Sequence, residues 1–154
     1  MIAEALLAAR NERVLRAAGA VEPAGDVYRA MQIVYPGFFL LMLLEGQMRS
    51  ADAGSTFWIG AAVFAAGKAV KYWAIATLGG RWTFRVLVPP NSARIRRGPY
   101  RWLAHPNYLG VFGELLGMAL AMMAIVTGPL AVAGFSYLMF RRIEVEETAL
   151  RGPQ

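Results

Sequence analysis

Long apolar segments alternate with short polar ones along this chain. Apolar residues dominate the stretches 27–48, 56–78 and 106–126, and also the first half of a fourth stretch, 130–150. An α-helix needs roughly 20 apolar residues to cross the hydrocarbon core of a bilayer. The pattern therefore predicts an all-α membrane protein with about four transmembrane helices. The fourth is expected to continue into water beyond Phe140.

A further helix is predicted ahead of the first apolar segment, at residues 1–18. Its start is rich in alanine and leucine, and its end carries three arginines, Arg10, Arg13 and Arg16. It is too short and too charged for a complete span, so we expect an interfacial or partly inserted helix. A linker with glycine and proline, residues 19–26, ends it.

The connections between these helices differ in length and charge. Short turns are predicted at 49–55 and at Thr127-Gly128-Pro129, whereas the connection 79–104 is long and carries arginines without acidic residues. Within it, Val86 to Val88 followed by Pro89-Pro90 predicts an extended segment. Lys68 and Lys71 lie near the end of the second span, and we expect them to snorkel to the membrane surface.

Composition supports the membrane assignment for the whole chain. The 154 residues are 57% hydrophobic and 17% charged, too apolar for a soluble domain of this size. We interpret the chain as one domain, 1–154, with an N-terminal helix and linker (1–26), a helical hairpin (27–78) and a C-terminal part (79–154). The oligomeric state stays open.

The distribution of charge predicts topology. The net charge of +6 comes from basic residues that flank apolar spans, which indicates contact with anionic lipid headgroups rather than nucleic acid. The N-terminal segment, the 79–104 connection and the C-terminal tail are all rich in arginine. Four spans place all three on one side, so we expect a multi-pass protein of the cell membrane with both termini in the cytoplasm.

Several kinds of site are excluded by residue counts. The chain has no cysteine and a single histidine, His105. Disulfides, thiol catalysis, cysteine-zinc sites and histidine-rich metal sites are therefore ruled out, and no metal is predicted. The sequence also contains neither a GxGxxG nor a GxxxxGK[ST] motif, so a nucleotide-like cofactor would need another binding mode.

Glu114 is the candidate polar group inside the third span, where a carboxylate is costly. Helical spacing places it on one face with Asn107, Gly110, Gly117 and Ala121, so it is expected to face packed helices or a cavity rather than lipid. Gly113 and Gly117 form a GxxxG pair suited to close packing. Two roles stay open for Glu114: a structural partner of an arginine, or a ligand or catalytic contact.

Two polar clusters flank the C-terminal hairpin. Before the third span lie Tyr100, Trp102, His105 and Tyr108, which could form a helix cap and an interfacial aromatic belt or instead line a ligand site. The last helix carries Arg142, Glu144, Glu146 and Glu147. These could be a solvated helix end beside the basic connection, or they could contact a ligand.

Two motifs carry a family resemblance. Gly98-Pro99-Tyr100-Arg101-Trp102-Leu103-Ala104-His105-Pro106-Asn107-Tyr108 and Arg142-Ile143-x-x-Glu146-Glu147-x-x-Leu150 resemble the isoprenylcysteine carboxyl methyltransferase family. Residues 71–82 and Asn11-Glu12-Arg13 are similar to a small bacterial branch that resembles alkylpyrone and alkylresorcinol O-methyltransferases. The resemblance covers roughly residues 10–150. The chain departs from the usual pattern at Ala104, where an arginine normally precedes the His-Pro pair.

The resemblance implies a membrane methyltransferase that uses S-adenosyl-L-methionine. It implies methyl transfer to an oxygen (carboxylate, phenol or enol) of a lipophilic small molecule at the cytoplasmic face, with membrane lipids as surroundings. The residues implied for cofactor binding are Gly98, Pro99, Tyr100, His105, Pro106, Tyr108 and Glu147. Arg142 and Glu146 are implied as catalytic residues. Two alternatives remain: a phospholipid or other lipid N-methyltransferase, and an NADPH-dependent membrane enzyme resembling sterol reductases.

Overall fold

The computed structural model describes residues 2–49, 54–90 and 95–151. It confirms the all-α class with five α-helices in these ranges: α1 (Ile2–Ala17), α2 (Tyr28–Met48), α3 (Ser55–Leu78), α4 (Pro106–Ala121) and α5 (Thr127–Arg151). Two 3-10 turns, Gly79–Arg81 and Gly98–Arg101, lie in the connection between α3 and α4. Outside the described residues lie Met1, 50–53 of the predicted turn, 91–94 of the long connection, and 152–154.

The boundary between the last two helices differs from the prediction. The third predicted span was expected to reach 126, but α4 ends at Ala121 and the residue Met123 has a φ of 48°. The predicted Thr127-Gly128-Pro129 turn is the first turn of α5. The reason lies in α2, where the Glu45 carboxylate accepts the Thr127 N–H at 2.7 Å and the Thr127 hydroxyl at 2.6 Å. A carboxylate from another helix thus caps α5 three residues earlier than the prediction placed its start.

Helices α3 and α4 form the tightest pair in the fold. A Cβ on Gly60 would lie 2.2 Å from the Ala121 amide nitrogen, and one on Gly117 would lie 2.3 Å from the Phe64 amide nitrogen. Gly67 and Gly110 meet in the same way further along, each facing the backbone of the other. These glycines let two antiparallel backbones touch, which confirms the predicted role of Gly117 in close packing.

The apolar core joins α2, α4 and α5. Its buried members are Met42, Leu115, Ala131, Phe135 and Met139, with Ala124 at the turn between α4 and α5. Tyr35 of α2 packs its ring against Phe135 with centroids 5.3 Å apart. This core holds α5 against the side of α2, so that the C-terminal part of α5 reaches the end of the bundle where the α3–α4 connection lies.

Helix α1 lies along the last turns of α3. Glu4 meets Lys71, Ala8 is buried together with Ile75, and the Asn11 Nδ2 donates to the Gly79 carbonyl at 3.0 Å. These contacts advance in the same direction along both helices. α1 therefore runs parallel to α3 and forms a wall of the bundle.

The outer surface of the helices is apolar. Large apolar side chains are exposed on α2, α3 and α5, among them Ile33, Leu40, Trp58, Ile59 and Phe140. By length and composition, one described helical stretch, Ser55–Arg81, suffices to cross a membrane. α4 has 16 residues, and a helix of that length extends only about 24 Å. The structure thus supports one of the four predicted spans directly.

Candidate active site

The turn before α4 depends on glycine. Gly98 has a φ of 55°, a conformation that favours glycine, and a Cβ there would lie 2.4 Å from the Thr77 Oγ1 at the end of α3. Pro99 is buried behind this contact. The turn directs Tyr100 into the bundle, and burial raises the pKa of the Tyr100 hydroxyl. The hydroxyl is protonated at neutral pH and can donate a hydrogen bond.

His105 lies at the N-cap position of α4, with the buried Pro106 at the first helical position. Its side chain makes no capping hydrogen bond; instead its Nε2 lies 3.0 Å from the Glu147 Oε1 of α5. Its Nδ1 lies 3.8 Å from the Glu146 Oε2. The imidazole also stacks on the Tyr108 ring, with centroids 5.5 Å apart. The ring is thus oriented by α5, and the capping role considered from the sequence does not apply.

Tyr108, Arg142 and Glu146 form a hydrogen-bonded chain between α4 and α5. The Arg142 Nε donates to the Tyr108 hydroxyl at 2.9 Å, and that hydroxyl donates to the Glu146 Oε2 at 3.1 Å. Three residues that the family resemblance implied for the site therefore meet directly.

Arg142 also binds the connection between α3 and α4. Its Nη2 donates to the Phe84 carbonyl, and its Nη1 lies 3.5 Å from the Asp26 Oδ1. Asp26 in turn accepts the Val86 N–H at 2.9 Å. Arg142 is 6% exposed, and its guanidinium contacts three chain segments at once. Asp26 was not predicted as part of the site, because its sequence neighbours form an ordinary polar linker.

A cavity of about 550 Å³ runs beside this cluster. All five helices and the α3–α4 connection contribute to its walls. Of the predicted site residues, five line it: Tyr100, His105, Tyr108, Arg142 and Glu146. The others, Gly98, Pro99, Pro106, Glu147 and Glu114, are not among its lining residues. The volume falls within the usual range of small-molecule sites.

The other end of the cavity holds a buried ionic cluster, in which Glu114 is fully buried. The Lys71 Nζ lies 2.9 Å and the Lys68 Nζ 3.3 Å from the Glu114 Oε1, and the Tyr35 hydroxyl donates to Oε2. The prediction that Glu114 faces packed helices is confirmed. Its partners are lysines, however, and not the arginine that was considered.

The prediction that Lys71 snorkels to the membrane surface is wrong. This lysine is 5% exposed and lies between Glu114 and Glu4, whose Oε1 is 3.2 Å from the Lys71 Nζ. Two carboxylates inside the bundle hold the ammonium group more strongly than the membrane surface would, since ion pairs gain strength away from water. Nothing in the sequence marked Glu4 as a site residue; it lies in the alanine- and leucine-rich start of the predicted N-terminal helix.

Similarity to known proteins assigns the chain to one family. The profile of the "Isoprenylcysteine carboxyl methyltransferase (ICMT) family" matches residues 58–152. The chain is 34% identical over 150 residues to "Uncharacterized protein YpbQ" of Bacillus subtilis (strain 168), covering 97% of this chain and 89% of that protein. It is 26% identical over 142 residues to an "Uncharacterized protein" of Haemophilus influenzae, covering 92% and 83% respectively. No solved structure matches the chain significantly. The chain therefore belongs to the isoprenylcysteine carboxyl methyltransferase family, a family of membrane methyltransferases.

Proposed function

We propose that this protein transfers a methyl group from S-adenosyl-L-methionine to an oxygen of a lipophilic acceptor. Family membership supports methyl transfer in a membrane. The observation that carries the finer proposal is the meeting of the two sequence motifs: His105 with Glu147 at 3.0 Å, and Tyr108 with Glu146 at 3.1 Å. They meet at the wall of a cavity large enough for a small molecule.

The residues at this wall fit the cofactor's chemistry. In the described part of the chain, the Asn107 Oδ1 is buried without a hydrogen-bond partner, and Asn107 lines the cavity. A buried hydrogen-bond acceptor without a partner costs free energy unless a ligand supplies a hydrogen-bond donor. The cofactor carries an ammonium group, an exocyclic amine and ribose hydroxyls, all of which are donors. Glu146 adds a carboxylate that can accept from the same kinds of group.

The side chains around this wall would bind and align the reactants. When bound, the cofactor supplies an electrophilic methyl group on a positively charged sulfur. The rings of Tyr100 and Tyr108 offer π faces that attract a cation. Glu147 orients the His105 ring, and Arg142 holds Tyr108 so that its hydroxyl keeps Glu146 in place. Alignment of this kind supplies much of the rate in a bimolecular transfer.

The surroundings suit a lipophilic acceptor. The cavity walls include many apolar side chains, such as Met31, Val111 and Phe135, and the helices around it expose apolar faces outward. We place the chain in the cell membrane as a multi-pass protein with both termini in the cytoplasm, since its arginine-rich segments share one end in that topology. The acceptor would then enter from the lipid phase between helices.

Cofactor binding tests this proposal. Isothermal calorimetry on detergent-purified protein should detect binding of S-adenosyl-L-methionine and of its demethylated product. Glu146→Ala should abolish methyl transfer to a host lipid extract. The transfer is measured by mass spectrometry with methyl-labelled cofactor. Glu144→Ala is the matched control, because Glu144 lies two residues away, with its side chain 72% exposed. Folded protein that binds neither form of the cofactor would refute the proposal.

A further inference from the structure

Arg142 lies near two carboxylates, and the two relations differ. Its Nη1 lies 3.5 Å from the Oδ1 of Asp26, in the linker before α2. Glu146, one turn further along α5, is reached through the Tyr108 hydroxyl, which accepts from the Arg142 Nε at 2.9 Å and donates to the Glu146 Oε2 at 3.1 Å. Among the described residues, Asp26 is the carboxylate that forms an ion pair with Arg142. Glu146 therefore lines the cavity without a direct ion pair to the arginine.

Direct pairing of Arg142 with Glu146 would be possible within α5 alone. Side chains four positions apart on a helix lie on one face, and opposite charges at that spacing attract. The attraction grows away from water, and Arg142 is buried. In this structure, however, both terminal nitrogens of the guanidinium are engaged elsewhere: Nη1 with Asp26 and Nη2 with the Phe84 carbonyl. These two contacts turn the guanidinium away from Glu146 and leave Nε for Tyr108.

The position of Asp26 is fixed by the backbone around it. Its Oδ1 accepts the Tyr28 N–H at 3.1 Å and its Oδ2 accepts the Val86 N–H at 2.9 Å, so both oxygens are held. The side chain is 4% exposed. The preceding Gly25 has a φ of 89°, a conformation that favours glycine, and an added Cβ there would lie 3.8 Å from the Val145 Cγ2. The linker therefore presents a fixed carboxylate to the side of α5.

We propose that Asp26 is a positioning residue: by binding Arg142 it keeps the Glu146 carboxylate free to bind the cofactor. The inference rests on the proposed function, in which Glu146 accepts hydrogen bonds from the cofactor. A buried charge that loses its partner is strongly destabilising. Without the charge of Asp26, Arg142 would turn to Glu146 and occupy the oxygens that the cofactor needs. Asp26 lies before residues 58–152, so the motif residues depend on a part of the chain outside the family match.

Glu22 separates this role from a general stabilising role of the linker. Its Oε1 accepts from the Arg85 Nη1 at 2.7 Å, so Glu22 also ties the linker to the α3–α4 connection. In the part of the chain that the structure describes, its basic partners are Arg16 and Arg85, and Arg142 is not among them. Glu22→Gln therefore loosens the same two segments while leaving the pairing of Arg142 unchanged.

The test measures cofactor affinity by calorimetry on the full-length protein in detergent, with S-adenosyl-L-methionine as the probe. Asp26→Asn keeps the size of the side chain and removes its charge. Its dissociation constant should rise about tenfold, the effect of losing one hydrogen bond to a charged group. Glu146→Gln should weaken binding to a similar extent, whereas Glu22→Gln should bind like the wild type. Asp26→Ser, which keeps an acceptor for the Tyr28 N–H, takes the place of Asp26→Asn if that variant does not fold.

The double variant Asp26→Asn/Glu146→Gln distinguishes positioning from a purely structural role. With Glu146 neutral, Arg142 has no carboxylate to capture there, so the double variant should bind the cofactor as Glu146→Gln alone does. A purely structural role of Asp26 would lower affinity by the same factor in both backgrounds. That result, an equal loss in Glu22→Gln, or wild-type affinity of Asp26→Asn or of Glu146→Gln would each overturn the inference. Failure of the wild type to bind the cofactor would instead overturn the proposed function.

Discussion

The Nε of Arg142 donates a hydrogen bond of 2.9 Å to the hydroxyl of Tyr108, although 34 residues separate them in the chain. The same hydroxyl donates to Glu146 at 3.1 Å, so it connects a guanidinium with a carboxylate. A phenolic oxygen can accept and donate at once, which no apolar ring can replace. The Tyr108 oxygen therefore helps to align Glu146 at the cavity.

Removing that oxygen should lower activity while leaving the fold intact. Tyr108→Phe keeps the ring and its stacking on His105 but breaks both hydrogen bonds. A hydrogen bond to a charged group contributes about 1.5–3 kcal/mol, so loss of the one that aligns Glu146 should lower kcat/KM by about 10- to 100-fold. Steady-state kinetics with methyl-labelled cofactor checks this. Tyr137→Phe is the control, because Tyr137 is exposed on α5. Equal activity of the two variants would show that the hydrogen-bonded chain does not contribute to catalysis.

Replacing Arg142 by lysine should reduce both stability and activity. A lysine ammonium cannot reach Tyr108, the Phe84 carbonyl and Asp26 together, since it lacks the planar fork of a guanidinium. We expect the free energy of unfolding to fall by about 2 kcal/mol. Arg141→Lys is a matched control, because the neighbouring Arg141 side chain is 56% exposed. Denaturant unfolding in detergent, followed by circular dichroism, should separate the two variants; identical midpoints would show that Arg142 does not hold the segments together.

The closeness of α3 and α4 can be tested with a pair of glycines. Gly60→Ala forces a methyl group into the α4 backbone, whereas Gly37 of α2 has nothing within 4 Å of an added Cβ. Overpacking of this kind costs about 1–3 kcal/mol. In contrast, Gly37→Ala should stabilise the helix by about 0.5–1 kcal/mol. The unfolding temperature should therefore fall for Gly60→Ala and rise slightly for Gly37→Ala. A shift in the same direction for both variants would argue against the close contact between α3 and α4.

Glu22 should make stability depend on pH. The Arg16 guanidinium, by hydrogen bonding, and then Arg85 hold the pKa of the Glu22 carboxyl below its ordinary value. A carboxyl with a depressed pKa in the folded state stabilises the fold above its unfolded pKa, and this contribution is lost as pH falls through the folded pKa. Glu22→Gln should therefore lower the unfolding temperature at neutral pH, with the difference shrinking below about pH 4.

The comparison for that experiment is Glu144→Gln, which removes an exposed carboxylate at the far end of α5. Its unfolding temperature should follow the wild type at every pH. A Glu22→Gln variant that differs from the wild type by the same amount at neutral and acidic pH would show that the Arg16 and Arg85 contacts contribute no charge-dependent stability.

The positions of the helices, and most of their ends, were determined by the sequence alone. The ranges predicted for the first two long helices agree within a residue with α2 and α3, because apolar length, flanking glycine and charge are local properties. The helical face of Glu114 followed from spacing for the same reason. The family was also accessible, since its two motifs are short and contiguous in the chain.

Only the tertiary structure decided which polar groups meet. Lys71 is 43 residues from Glu114, and Glu45 is 82 residues from Thr127, so no local pattern joins either pair. Lys71 near the end of an apolar segment looks like a snorkelling residue until two carboxylates appear beside it. The start of α5 shifted for a similar reason, because its cap comes from α2. Burial makes such long-range pairs strong, and burial is a property of the packed helices rather than of any one segment.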